Sequence, residues 1–228
     1  MSIWIIFGFF MVLSYIISQR LESKFKKYSK IPMNYGMTGK DVAEKMLKDN
    51  DIYDVQVVST SGTLSDHYNP ANKTINLSHD VYYGNSVAAA AVAAHETGHA
   101  VQHATAYSWL QMRSSLVPIV SFASRWVQWV LLAGVLLVNV FPGLLLLGIF
   151  LFAITTLFSI ITLPVEVNAS RRALVWLNTH NITSPNTHGY AEDALRWAAY
   201  TYFISALTSL ATLVYYILVY LSHSGNDD

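Results

Sequence analysis

From Leu144 to Leu163 the chain runs for twenty residues without a charged side chain. At 1.5 Å per residue that is about 30 Å of helix, the thickness of a bilayer's hydrocarbon core. Lipid offers no partner to backbone amides, so a stretch of this kind folds as a spanning helix or not at all in a membrane. Three further stretches have the same character, at about 2–18, 116–140 and 202–221. With 53% hydrophobic and only 12% charged residues, against about 25% charged in soluble domains, the chain reads as a mainly α, four-span membrane protein. Phe141-Pro142-Gly143 reads as a tight reversal, making the second and third stretches a hairpin. Arg125 is its one costly residue, turned toward protein or water or snorkelling to the interface. A cleaved signal peptide is the weaker reading of the first stretch, which has no basic residue before it and no small-x-small site after it.

Polar segments 19–115 and 164–201 separate the spans. Thirteen of the fourteen Lys and Arg residues fall in these two segments, and the other is Arg125. The positive-inside rule places both segments in the cytoplasm and both termini outside. Chemistry shared between the two segments is therefore possible.

Ala88 to Ala104, AAAAVAAHETGHAVQHA, is alanine-rich and proline-free, a strong helix former. His95 and His99 then leave the same helix face one turn apart, with Glu96 between them. In an HExxH pattern two such histidines hold zinc, and the glutamate takes a proton from the zinc-activated water and passes it to the leaving amine. Given this chain's His and Glu content, a chance occurrence has a probability of about 0.006. The helical setting, the small residues ahead of the motif and Gly98, which leaves room for a neighbouring segment, add weight. There is no cysteine, so disulfides and thiolate zinc sites are excluded and ligands must be His or carboxylate.

A catalytic zinc site needs three protein ligands and an open position. Glu166 is the favoured third ligand, because Pro164 is expected to end the third span and Glu166 then opens a helix, 165–177, at the membrane surface. His103 is the rival. Three histidines spaced by four residues rotate about 40° per step, so they converge poorly on one tetrahedral ion. The metzincin alternative needs glycine at position 102, which is Gln here. His103 is then expected to be an outer partner or a core residue. One zinc per chain, on His95, His99 and Glu166, is the resulting expectation.

Between the first span and the motif, Thr38 is positioned to cap a helix over 40–50. Residues 55–58, 64–68 and 74–77 read as strands of a small antiparallel sheet, with Asn69 to Asn72 as a turn. Asp66, His67 and Tyr68 need no function if they merely decorate a hairpin edge. The functional reading has the 74–78 strand binding an extended peptide, with His67 or Tyr68 as substrate-binding, oxyanion-stabilising donors. His180 and His188 are alternative donors, on a polar loop, 178–189, that is a candidate lid.

The strings SDHYNP, TINLS, AAHETGHAVQHA and PVEVNASRRA, in this order among apolar spans, resemble the YugP-like family of membrane zinc metallopeptidases over most of the chain. The resemblance implies a zinc-dependent endopeptidase in a bacterial cytoplasmic membrane, a zincin-like cytoplasmic α+β unit, His95, His99 and Glu166 as ligands and Glu96 as catalyst. ExxxA after the third span is also similar to the ExxxAD of gluzincin membrane proteases. Ser170 stands at the Asp position, so a carboxylate orienting a ligand histidine is missing or supplied elsewhere, with Asn168 a possible substitute.

The expected partners are the lipid bilayer and peptide or membrane-protein substrates, with no nucleic acid. Too few polar residues lie in the spans for an ion path. The alternative to a protease is a catalytically silent zinc-binding membrane scaffold.

Overall fold

The computed structural model describes residues 3–33 and 36–224. Ser2 of the first predicted span lies outside the described residues, as do residues 34–35 and 225–228. Four helices are long and apolar enough to cross a membrane: α1 (Ile3–Tyr28), α5 (Ser108–Leu136), α6 (Pro142–Thr179) and α7 (His188–Ser224). Between α1 and α5 come α2 (Gly39–Asp49), β1 (Gln56–Thr60), β2 (His67–Asn69), β3 (Thr74–Ser78), α3 (His79–Tyr82) and α4 (Val87–Ala104). The chain divides into two compact units, one of residues 1–15, 112–163 and 202–228, the other of 16–111 and 164–201.

In the first unit α5 and α6 form the expected hairpin, reversed by a turn in which the Val140 and Phe141 amides donate to the Leu137 carbonyl. Two glycines let these helices close. A Cβ on Gly134 would lie 2.6 Å from the Leu145 Cα, and one on Gly148 would lie 2.8 Å from the Leu131 side chain. Leu131, Val138, Leu145 and Ile149 form the buried core, and Leu213, Tyr216 and Val219 of α7 pack against it. The Thr156 and Ser209 hydroxyls link α6 to α7 at 2.8 Å.

Pro164 does not end the helix as expected. α6 continues through it to Thr179, so Glu166 sits inside a helix rather than at its start. A proline costs one amide donor and a local clash, whereas ending the helix in an apolar setting would strand several donors and acceptors at once. The ladder therefore resumes beyond it.

The second unit is built around α4, buried along most of its length. Its alanines let α2, α3 and the sheet approach closely, and Val42, Met46, Ile75, Leu77, Val81, Trp176 and Leu177 complete one continuous core. Local signals agree with this placement. Thr38 and Asp41 form a reciprocal capping box at the start of α2, and the Ser86 hydroxyl accepts the Ala89 amide at the start of α4.

The sheet is mixed, not antiparallel as expected, in the order β1-β3-β2. β2 and β3 form the antiparallel hairpin, but β1 runs parallel to β3 with Val57 opposite Ile75. The connection from Thr60 to Thr74 is long enough for a parallel crossover and itself contains β2. β3 takes the centre because Ile75 and Leu77 are its fully buried pair. A central strand has no free edge, so the expected peptide addition to 74–78 is ruled out, leaving β1 and β2 as edges.

Candidate metal centre

α4 presents His95 and His99 one turn apart, their ring centroids 4.9 Å from each other and their planes near perpendicular. α6 passes beside them and delivers Glu166. Its Oε2 lies 3.3 Å from His95 Nε2 and 3.4 Å from His99 Nε2, with the carboxylate almost wholly buried. The three donor atoms lie within 4.8 Å of one another.

Gly98 makes the approach possible. A Cβ there would lie 2.7 Å from the Ala169 carbonyl oxygen and 3.2 Å from its carbon, and this backbone belongs to the α6 turn after Glu166. Gly98→Ala is therefore expected to push α6 from α4, lowering stability by about 1–3 kcal/mol and weakening metal retention. Denaturant midpoint and metal content of purified protein check this, and wild-type values for both would contradict it.

Hydrogen bonds around the rings fix what the donors can do. The Gln102 amide nitrogen donates to the Val165 carbonyl at 2.8 Å and to Asn168 Oδ1 at 3.0 Å. Arg172 Nε also donates to that Asn168 oxygen, at 2.8 Å. Gln102 Oε1 is therefore an acceptor, and His99 Nδ1, 3.0 Å away, carries the hydrogen. A neutral His99 then turns the lone pair of Nε2 toward the Glu166 carboxylate. Two lone pairs facing each other repel, so the arrangement calls for a cation between them, either a proton or a metal ion.

A proton can fill that role. Burial penalises charge on both groups, yet the two imidazoles hold the Glu166 carboxyl far below the usual carboxylate range. Burial likewise opposes the His99 imidazolium, but the facing Glu166 and the nearby Glu96 raise its pKa overall. Two imidazole Nε2 atoms and one carboxylate, oriented by outer hydrogen bonds, are also a standard protein ligand set for catalytic zinc. The residues fit the metal that the sequence pattern calls for.

Glu96 is buried beside this group but is not part of it. Its Oε2 accepts the Tyr68 backbone amide at 3.0 Å, and Oε1 has no hydrogen-bond partner among the described residues.

A family model described as "Putative neutral zinc metallopeptidase" matches residues 3–221. The chain belongs to this zinc metallopeptidase family. It is also 40% identical, over 95% of its own length and 94% of the relative's, to the "Putative membrane protease YugP" of Bacillus subtilis (strain 168). No solved structure matches it.

Several other predicted residues of this zinc metallopeptidase family member now have places. His103 is exposed, neither a core residue nor grouped with His95 and His99. Its Nδ1 meets the Tyr68 hydroxyl at 2.8 Å. Tyr68 thus lies along α4, its amide on Glu96 and its phenol on His103. His67 is exposed, and its Nδ1 donates to the Ser65 carbonyl at 2.8 Å. Asp66 accepts from the Ser78 amide and hydroxyl, which fastens the chain entering β2 to the end of β3.

Neither alternative donor joins the group. His180 stacks on Trp176 and faces Asp49 at 3.3 Å, while His188 Nδ1 meets the Thr183 hydroxyl at 2.9 Å. The loop that carries them is anchored rather than lid-like, with Ile182 and Thr183 buried and the Thr187 hydroxyl accepting the Ser184 amide.

Ser170, at the position where an Asp would orient a ligand histidine, meets His95 Nδ1 at 3.1 Å. Asn168 reaches His99 only through Gln102. Gln102 itself is the residue that sequence reasoning missed. Its spacing of three from His99 was the available signal, since residues at i and i+3 share a helix face.

Proposed function

We propose that this protein is a membrane-bound zinc endopeptidase that holds one zinc per chain on His95, His99 and Glu166, with Glu96 as general base. We further propose that residues 1–228 act as one membrane-embedded peptidase domain in a bacterial cytoplasmic membrane. The convergence of those three donors beside Glu96 carries the reading. Zinc, when bound, supplies Lewis acidity that brings the proton of water within reach of a carboxylate at neutral pH. Glu96 Oε1 takes that proton and returns it to the amine of the broken peptide bond, while the Tyr68 amide on Oε2 keeps the carboxylate oriented.

β2 is an edge strand whose Tyr68 amide already touches Glu96. An extended peptide laid along that edge would pass the carboxylate, with the Tyr68 phenol near enough to be a candidate donor to the developing oxyanion. The test is peptide cleavage by purified protein with parallel metal analysis, wild type against Glu96→Gln.

The thirteen basic residues in segments 19–115 and 164–201 favour a cytoplasmic location for the centre. Substrates would then be cytosolic segments or membrane-protein ends near the inner leaflet. A cysteine at Lys73 is expected to resist a membrane-impermeant thiol reagent in intact cells and react after lysis, whereas one at Ser224 reacts in both. Labelling of the Lys73 site in intact cells would reverse the topology and place the peptidase outside.

A further inference from the structure

Arg125 lies deep in a spanning helix. The contacts of Gly134 with Leu145 and of Gly148 with Leu131 set the hairpin register, since the residue numbers add to 279 in both. Arg125 is therefore level with residue 154, near the middle of the apolar run 144–163. About 15 Å of helix separates it from the ends of that run, well beyond the reach by which an arginine snorkels to the interface.

The side chain is exposed, and among the described residues it makes no hydrogen bond or ion pair. It is not alone on its face. Ser121, Ser124 and Gln128 stand four, one and three residues from it, all exposed, so the four form one polar stripe down α5. The Ser124 hydroxyl turns back to the Ser121 carbonyl at 3.3 Å, which leaves Arg125 as the charge that must be met from outside.

Lipid tails cannot accept its hydrogen bonds, and charged residues within spans face protein or water because the alternative is costly. A second copy of the chain is a poor match. A two-fold contact brings the same patch to the same patch, and this patch offers Ser121, Ser124 and Gln128 but no carboxylate. The sequence also holds no Asp or Glu between Glu96 and Glu166, before Glu22, or from 194 to 226, so its own spans contain no carboxylate to offer.

We propose that the Arg125 face of α5 is a docking surface for the transmembrane helix of another membrane protein, one that carries an Asp or Glu near the middle of its span. A carboxylate there accepts two guanidinium hydrogen bonds side by side, and Gln128 supplies a further donor one turn away. Selection by a carboxylate inside the bilayer is independent of the zinc centre.

The full-length protein, reconstituted in phosphatidylcholine vesicles and labelled as a fluorescence donor, provides the test. The acceptors are synthetic polyleucine transmembrane peptides with Glu, Gln, Lys or Leu at the central position. The Glu peptide is expected to associate at least tenfold more tightly than the Leu peptide and to lose that preference with Arg125→Leu. Arg125→Glu should shift the preference to the Lys peptide, and this charge reversal separates recognition from any general loss of fold. Equal association of the Glu and Leu peptides with wild type would overturn the proposal. So would self-association between copies that depends on Arg125 in the absence of any Glu preference, or a charge reversal that leaves the ranking unchanged.

Discussion

Glu96→Gln is expected to keep its zinc and its fold and to lose peptide cleavage by at least about 10²-fold, the lower end of what a positioned general base contributes. The substitution preserves shape. Its side-chain oxygen still accepts the Tyr68 amide that Glu96 Oε2 accepts at 3.0 Å, so β2 remains docked on α4. The donor group of His95, His99 and Glu166 does not include Glu96, so metal content should match the wild type. What disappears is a carboxylate oxygen able to take up and release a proton. Undiminished cleavage would show that Glu96 is not the base. Wild-type protein that holds zinc but cleaves no peptide would instead favour a silent scaffold.

Glu166→Ala is expected to lose zinc, and cleavage with it, whereas His103→Ala keeps the metal. Removing Glu166 leaves two imidazoles from one helix, too few for a three-ligand site. The loss should exceed the roughly 10–100-fold weakening typical when an outer hydrogen-bond partner of a ligand is removed. Gln102→Leu supplies that comparison, since Gln102 holds His99 without being a ligand. His103 is held by the Tyr68 hydroxyl and is exposed. Metal analysis after dialysis ranks the four proteins, and zinc retained in Glu166→Ala but lost in His103→Ala would return the assignment to the row of histidines.

The four membrane helices were legible because lipid imposes one requirement, apolar length, that composition reports directly. The pair of histidines was legible for a similar reason, since a helix converts spacing into a shared face. Glu166 could be singled out from chain topology, although the expected helix start at Pro164 is absent. A proline weakens a helix locally, and whether the helix breaks depends on surroundings that a short window of sequence does not contain.

Gln102 was legible only in part: its spacing of three puts it on the His99 face of α4, but does not show what its amide does there. Its amide has meaning only once the Val165 carbonyl and Asn168 of α6 stand opposite it, and nothing local in α4 announces that neighbour. The strand segments could be read from β-branched runs and turn residues. Their order could not, because the parallel pairing of β1 with β3 follows from where the buried Ile75 and Leu77 settle against α4.

The donor set is split along the chain: His95 and His99 precede the α5–α6 hairpin, and Glu166 follows it. A ribosome therefore makes two of the three donors well before the third, with the whole hairpin still to be synthesised between them. A nascent or truncated chain that stops within the hairpin carries the histidines and Glu96 but has no complete metal site. The three-donor group is thus completed only after both helices of the hairpin have been made, so its assembly reports on the whole hairpin rather than on either flanking segment.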